Sequence, residues 1–115
     1  PVCMADTLTN LLAAADGEHE EFVSMYPGYA DIADEEGFPK VATAFREIAK
    51  VESRHEDRYR KLAANIKEGK VFKKDAPTLW KCDNCGYIYE GAEAPKLCPA
   101  CLHPQEYFEL FVEAY

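Results

Sequence analysis

Long apolar runs are absent from this 115-residue chain, and basic residues are few. No stretch approaches the roughly 20 apolar residues of a membrane helix. The N-terminal PVCMADTLTN also lacks the basic and then apolar segments of a secretory signal. Twenty-one acidic residues outnumber 13 basic ones, so the net charge of −8 repels phosphate backbones and anionic membrane surfaces. We therefore expect a soluble, cytoplasmic protein that binds neither nucleic acid nor membranes.

Four of the five cysteines form two C-x-x-C pairs, Cys82 with Cys85 and Cys98 with Cys101. In a chain without a secretory signal, this pattern favours metal ligation over disulfides. Two such pairs can present four thiolates tetrahedrally to one ion. The spacing alone is compatible with iron or with zinc. The fifth, Cys3, is expected to be a free thiol in a loop.

Two apolar stripes at helical spacing precede the cysteines. The first predicts a helix over about residues 7–36, with Asp6 or Thr7 as its cap and Gly37 as its stop. The second predicts a helix that begins near Pro39 and ends near Gly69. The short connection between the two predicts an antiparallel hairpin. Pro27 lies within the first helix, so we expect a kink or a boundary near Tyr26.

Polar residues interrupt both stripes near their middles. Glu52 and His55 are spaced i, i+3 and project from one helix face, and Glu18 and Glu21 have the same spacing on the first helix. Buried unpaired carboxylates are costly, so facing carboxylates imply cations between them. Carboxylates with an imidazole suit iron or manganese. A solvated hairpin edge is the alternative, and we expect the off-stripe residues His19 and Glu20, and also His103, to lie at the surface.

Residues 67–79 carry four lysines with glycine, aspartate and proline, and neither period persists there. We therefore predict a helix pair over residues 1–69, a linker over 70–79 and a small cysteine module over 80–115.

The knuckles CDNCGY and CPAC resemble those of rubredoxin. This resemblance implies one iron on the four cysteines and an aromatic core from Trp80, Tyr87, Tyr89 and Phe108. Gly86 would let backbone amides point at sulfur. From Trp80 to the end, two basic residues face six acidic ones. That composition favours an electron carrier over a zinc ribbon that binds nucleic acid.

The segments GEHEEFVSMYP, VESRHE and NIKEGKVF, followed by WKCDNCGYIYEG and CPAC, resemble rubrerythrin over essentially the whole chain. The resemblance implies a mainly α fold: the last two helices of a ferritin-like four-helix bundle, then a rubredoxin-like domain. By position, Glu18, Glu21, Glu52 and His55 match ligands of a di-iron site, and Tyr26 matches a tyrosine beside them.

The family activity implied is reduction of hydrogen peroxide to water at the di-iron carboxylate site, in defence against oxidative stress. The rubredoxin-like iron would deliver electrons from an NAD(P)H-dependent reductase. The alternatives are a non-catalytic electron-transfer or iron-binding module and a zinc-ribbon interaction module, the last of which predicts a colourless protein.

Family members carry two further helices upstream, with another glutamate and another E-x-x-H. We therefore expect a separate chain, a removed segment or a second copy to complete the bundle in a homo- or hetero-oligomer. The start at Pro1 favours a cleaved or separately traced half.

Overall fold

The computed structural model describes residues 3–115, which divide after Lys67 into two compact units. The elements of the first unit are α1 (Thr7–Glu20), a π-helix (Glu21–Met25), α2 (Tyr26–Glu35) and α3 (Pro39–Lys67). Those of the second are β1 (Lys73–Cys82), β2 (Ile88–Glu93), a 3₁₀ turn (Gln105–Tyr107) and β3 (Phe108–Leu110). The predicted fold class, a helix hairpin followed by a small cysteine module, is confirmed. Within residues 3–115, no helix is both long and apolar enough to cross a membrane.

The first predicted helix is interrupted close to the expected place, but by a wide turn. The Asp6 side chain accepts a hydrogen bond from the Thr9 amide at 2.7 Å and caps α1. Ahead of Pro27, the Tyr26 amide donates to the carbonyl of Glu21, five residues back, as in a π-helix. Pro27 has no amide hydrogen and therefore cannot donate the i to i−4 hydrogen bond of an α-helix at this position.

The connection to α3 is a tight turn built on a left-handed glycine. Gly37 has φ +85°, and the Phe38 amide donates to the Ala33 carbonyl at 2.8 Å, which caps the end of α2. Pro39 then occupies the first turn of α3, as the sequence predicts. These features confirm the predicted helix hairpin.

The helices of the first unit pack through small side chains. Between residues 3 and 67, every residue that is buried is an alanine: Ala15, Ala30, Ala33, Ala42 and Ala63. Ion pairs also join the helices across the hairpin, with Arg46 Nη2 2.7 Å from Asp34 Oδ2 and Arg60 Nη2 3.1 Å from Asp16 Oδ1. Alanine lets helices approach closely but buries little apolar surface. The hairpin therefore has no core of large side chains.

A three-stranded antiparallel sheet of order β2-β1-β3 forms the second unit. Trp80 and Phe108 are buried in its core beside Cys82 and Cys98, and Tyr89 packs against them. The Trp80 indole donates a hydrogen bond to the Gly91 carbonyl at 3.0 Å. The expectation that Tyr87 joins this core is wrong, because Tyr87 is exposed.

The segment predicted as a linker, residues 70–79, is also different in the structure. Most of it lies in β1, which pairs with β2 from Lys73 onward. The register shifts between Lys73 and Thr78, so Pro77, which cannot donate to a ladder, falls within the irregular stretch. Pairing with a distant strand supplies the backbone hydrogen bonds that the local pattern does not reveal.

We predict that Gly91→Ala destabilises the second unit. A Cβ at this position would lie 2.5 Å from the Cε1 atom of Tyr89, so the ring that packs on the core must move. Such overpacking costs about 1–3 kcal/mol in the free energy of unfolding. Chemical unfolding followed by fluorescence of Trp80, the only tryptophan, measures it. As control, Gly28→Ala, which meets no atom within 4 Å, should leave the Trp80 transition unchanged. An unaltered midpoint for Gly91→Ala would contradict the packing argument.

Candidate metal centres

The four cysteines of the second unit converge on one point. The Sγ atoms of Cys82, Cys85, Cys98 and Cys101 all lie within 4.8 Å of one another. The Sγ atoms of Cys82 and Cys101 lie 3.7 Å apart, and those of Cys85 and Cys98 lie 3.6 Å apart. Cys82 and Cys98 are buried, whereas Cys85 is exposed. Four convergent sulfurs fit a single tetrahedral thiophilic ion.

Each C-x-x-C pair lies in a knuckle, and the two knuckles repeat the same hydrogen bonds. In the first, the Cys82 amide donates to the Tyr87 carbonyl at 2.9 Å, and the Gly86 amide donates to the Cys82 carbonyl at 2.8 Å. In the second, the Cys98 amide donates to the His103 carbonyl at 2.8 Å, and the Leu102 amide donates to the Cys98 carbonyl at 2.9 Å. The two halves of the site are thus related by an approximate local repeat.

Leu102 occupies the position that Gly86 has in the first knuckle. Gly86 has φ +80°, and Leu102 has φ +63°, which is uncommon for a branched side chain. The sequence analysis identified the role of Gly86 but not that of Leu102. The signal in the sequence was that Gly86 and Leu102 each directly follow the second cysteine of their C-x-x-C pair.

Backbone amides after each knuckle set the electrostatics of two thiols. The His103 amide hydrogen bond lowers the pKa of Cys101 to about 6, assisted by hydrogen bonds from Cys85 and Asn84. The Tyr87 amide acts in the same direction on Cys85, but desolvation and hydrogen bonds with the other thiols outweigh it and raise the pKa of Cys85 to about 12. An ion bound by the four sulfurs would draw the protons off the thiols.

A second group of donors lies between α1 and α3. Glu18, Glu52 and His55 place one donor atom each within 4.8 Å of the others. The His55 Nδ1 atom is 2.7 Å from Glu52 Oε2 and 3.4 Å from Glu18 Oε2. The two carboxylates are only 17% and 13% exposed, and the imidazole is 49% exposed. Three of the four predicted ligands on the helices are therefore brought together.

Glu18 carries an unsatisfied oxygen. Among the described residues, its Oε2 is the one buried side-chain oxygen or nitrogen without a hydrogen-bond partner. Burial raises the pKa of Glu18, and the facing Glu52 carboxyl raises it further. An orphaned buried acceptor beside another carboxylate and an imidazole fits a divalent cation with oxygen and nitrogen ligands, such as ferrous iron.

Glu21 and Tyr26 lie next to this group without belonging to it. Glu21 is the first residue of the π-helix and is half-buried. Burial raises the pKa of Tyr26, and the negative charges of Glu52 and Glu21 add to the effect. These charges act on the Tyr26 phenol because it lies near the carboxylates. Its ring also contacts Phe45, with centroids 6.0 Å apart.

Next to the first group lies a polar cluster that the sequence analysis missed. Glu56 is only 13% exposed. Its carboxylate pairs with Arg60 Nε at 2.6 Å and with His19 Nδ1 at 3.1 Å. Arg60 also reaches Asp16 at 3.1 Å. His19 lies at the surface, as expected, with 54% of its side chain exposed, but its contact with Glu56 was not predicted. The available signal was the i, i+4 spacing of Glu52 and Glu56, which places both on the same face of α3.

His103, by contrast, is less exposed than expected. It is half-buried, and its ring packs edge-on against Tyr107 with centroids 4.5 Å apart. Its Nδ1 atom lies 3.3 Å from the carbonyl oxygen of Cys101. The side chain thus buttresses the second knuckle from outside the thiol group.

Family comparisons agree with both groups of donors. Residues 3–63 match the rubrerythrin family, and residues 80–109 match the rubredoxin-like domain of rubrerythrin. The chain is 68% identical to rubrerythrin of Clostridium perfringens over 96% of its own length and 56% of the relative's. It is 53% identical to rubrerythrin of Nitratidesulfovibrio vulgaris over 93% of this chain and 56% of that protein. The chain thus spans a little over half the length of these curated relatives.

Among solved structures, the partially reduced state of nigerythrin superposes with a TM-score of 0.55 at 31% identity, over 95% of this chain and 52% of that one. The fully reduced, all-ferrous state of nigerythrin gives a TM-score of 0.53 at 32% identity, over 93% and 50%.

Iron as the metal follows from the rubredoxin-like domain with its four convergent cysteines. A di-iron site is supported by the Glu18, Glu52 and His55 group together with the family match. With oxygen and nitrogen donors between two helices and four thiols on paired knuckles in one chain, this protein belongs to the rubrerythrin family.

Proposed function

We propose that this chain is part of a non-haem iron peroxidase that reduces hydrogen peroxide to water and serves in defence against oxidative stress. The observation that carries the proposal is the buried, unsatisfied Oε2 of Glu18, which lies in one group with Glu52 and His55. Two ferrous ions, when bound, supply the two electrons that cleavage of the O–O bond requires.

The residues of the helix pair have distinct roles in this proposal. Glu18, Glu52 and His55 bind metal directly, and Glu21, one turn from Glu18, adds a further carboxylate from the same helix. The carboxylates keep the site anionic and therefore favour retention of the cations as their charge rises. Tyr26 presents a phenol that can hold a proton beside the carboxylates.

A partner must complete this site. Three or four ligands from two helices do not fill the coordination of two iron ions. The buried residues of the hairpin are all alanines, whereas Val23, Ile32, Phe38, Val41 and Val51 are 45–56% exposed. A groove of about 310 Å³ between α2 and α3 is lined by Tyr29, Ile32, Ala33, Glu36, Phe38, Val41 and Phe45. We infer that two further helices, from another chain, another segment or a second copy, cover this face.

Electrons reach the site, in this proposal, through the four-cysteine iron. Four thiolates hold ferrous and ferric iron in the same geometry, which keeps the reorganisation on electron transfer small. We propose an NAD(P)H-dependent reductase as the physiological donor. A reducing, cytoplasmic location suits a domain whose four cysteines must stay unpaired.

We predict that Glu52→Ala abolishes peroxide reduction while the four-cysteine iron is retained. The substitution removes a largely buried carboxylate from the group of three, so metal occupancy between the helices falls. The measurement is peroxide consumption driven by a rubredoxin reductase, with the complementary helices present, together with iron per chain. We expect a loss of at least about tenfold in turnover.

Glu47→Ala is the matched control, because Glu47 is an exposed acid on the same helix, paired with Lys50. This variant should behave as the parent. If Glu52→Ala turned over peroxide at the parental rate with full iron content, Glu52 would not be a ligand. If the complemented parent reduced no peroxide but kept redox-active iron, a non-catalytic electron carrier would be the better assignment.

We predict that Cys98→Ser bleaches the protein and leaves the helices intact. Cys98 is fully buried among the four thiols, and its sulfur is needed for the ferric-thiolate absorption. Visible absorption and far-ultraviolet circular dichroism measure the two effects. Cys3→Ser, at an exposed thiol, should keep the colour. An unchanged red Cys98→Ser protein would overturn the assignment of the iron to this site.

We further predict that the chain alone does not persist as a 13.0 kDa monomer. The exposed apolar side chains on an alanine-packed hairpin favour association with another copy or with complementary helices. Light scattering coupled to size-exclusion chromatography, on native material, gives the mass. A monodisperse monomer that stays soluble at high concentration would count against the bundle.

A further inference from the structure

The sheet of the second unit supports the first knuckle of the four-cysteine site directly. Cys82 is the last residue of β1, the central strand, and it pairs there with Phe108 of β3. The adjacent Asp83 amide donates a hydrogen bond to the Tyr107 carbonyl at 2.8 Å. The chain then returns as β2, which pairs with β1 on its other side. The first knuckle is therefore anchored in the sheet through its first cysteine.

The second knuckle lies in the connection between β2 and β3, and both of its cysteines are outside the three strands. An isolated bridge between Leu97 and Pro104 holds the base of this connection. The contact of the His103 ring with the Cys101 carbonyl, at 3.3 Å, is long for a hydrogen bond. Opening the second knuckle therefore need not disrupt the pairing of β1, whereas displacing the first knuckle would.

The second knuckle also holds its turn residue in a conformation that leucine disfavours. Leu102 has φ +63°, where its Cβ crowds the backbone, whereas Gly86 has φ +80° at the equivalent place without that penalty. The Leu102 side chain is 72% exposed, so little packing offsets the penalty. When the hydrogen bond from the Leu102 amide to the Cys98 carbonyl breaks, Leu102 can return to a negative φ. This relief favours opening of the second knuckle over opening of the first.

We propose that the second knuckle is the half of the four-cysteine site that opens, and that iron is exchanged through it. Leu102 acts as a positioning residue, because its left-handed backbone destabilises the closed turn while the first knuckle retains the ion. The cysteines of the second knuckle therefore leave the ion before those of the first. This inference concerns metal exchange and is independent of the proposed peroxide reduction.

The test compares the alkylation of Cys82 and Cys98 in the iron-loaded full chain. Both side chains are 0% exposed, so accessibility in the closed site does not distinguish them. The chain carries Cys3→Ser, because Cys3 is exposed and would react first. Limiting iodoacetamide is added, and the label is mapped by mass spectrometry in singly alkylated chains. Each rate is divided by the rate for the same cysteine in the metal-free chain unfolded in urea, which removes differences in intrinsic reactivity.

We expect the normalised alkylation of Cys98 to be about tenfold faster than that of Cys82. The labelling rate follows the opening equilibrium when the site recloses faster than it reacts. Equal rates would mean that the second unit opens as a whole, and faster labelling of Cys82 would mean that the first knuckle opens. Either result would overturn the proposal. This comparison needs no variant of either knuckle.

Leu102→Gly and Gly86→Ala form a matched pair that tests the backbone conformation. Leu102→Gly removes the penalty, so the alkylation of Cys98 and the bleaching of the iron chromophore by a chelator should both slow by about tenfold. Gly86→Ala introduces the penalty into the first knuckle, where a Cβ would meet no atom of the described residues within 4 Å. It should therefore accelerate the alkylation of Cys82.

Leu102→Ala is the control for the leucine side chain, because alanine keeps a Cβ in the left-handed region. It should retain the parental alkylation rate of Cys98. If Leu102→Ala slowed this rate as much as Leu102→Gly, the side chain and not the backbone would control the opening, and the proposal would be overturned. A parental rate in Leu102→Gly would overturn it as well.

Discussion

The apposition of Glu18 and Glu52 between α1 and α3 is the interaction on which the helix pair depends. Two largely buried carboxyl groups face each other beside His55, and the Oε2 atom of Glu18 has no hydrogen-bond partner. Burial, followed by the facing Glu52 carboxyl, raises the pKa of Glu18. The alanine-lined interface holds these groups together, since larger side chains would keep the helices apart.

The two metal centres achieve rigidity by different means. The thiols lie on two knuckles whose backbone hydrogen bonds repeat, and the first knuckle is also hydrogen-bonded to Tyr107. The carboxylates and the imidazole instead depend on the register of two long helices, which the Arg60 and Arg46 ion pairs join at two levels. The sulfur site therefore has its four donors within this chain, whereas the oxygen and nitrogen site brings three donors together and, in our proposal, is completed by assembly.

Periodicity and spacing predicted most of this arrangement. The apolar stripes interrupted at Glu18 and Glu52 predicted both helices and the polar positions on them. Helical periodicity can be read from residues that are three or four apart in the sequence, so no distant partner has to be known. The spacing of the cysteines predicted the four-cysteine site, because each C-x-x-C pair is also a pattern of nearby residues. Three features depend on non-local partners and were not predictable: the strand in residues 73–79, the left-handed Leu102 and the pairing of His19 with Glu56. The π-helix was predicted only as a disturbance near Pro27.

Charge balance shows why the helix pair cannot hold two irons unaided. Glu18, Glu21 and Glu52 supply three negative charges, and neutral His55 supplies none, so two ferrous ions would leave a net positive charge in a partly buried interface. In the assembly we propose, the helices that cover the exposed apolar side chains would supply additional carboxylates. Under that proposal, these helices would bring both apolar surface and negative charge, and the free energy of metal binding would contribute to the stability of the completed bundle. In the proposed assembly, association of the helices and binding of the metal ions would therefore be one coupled equilibrium.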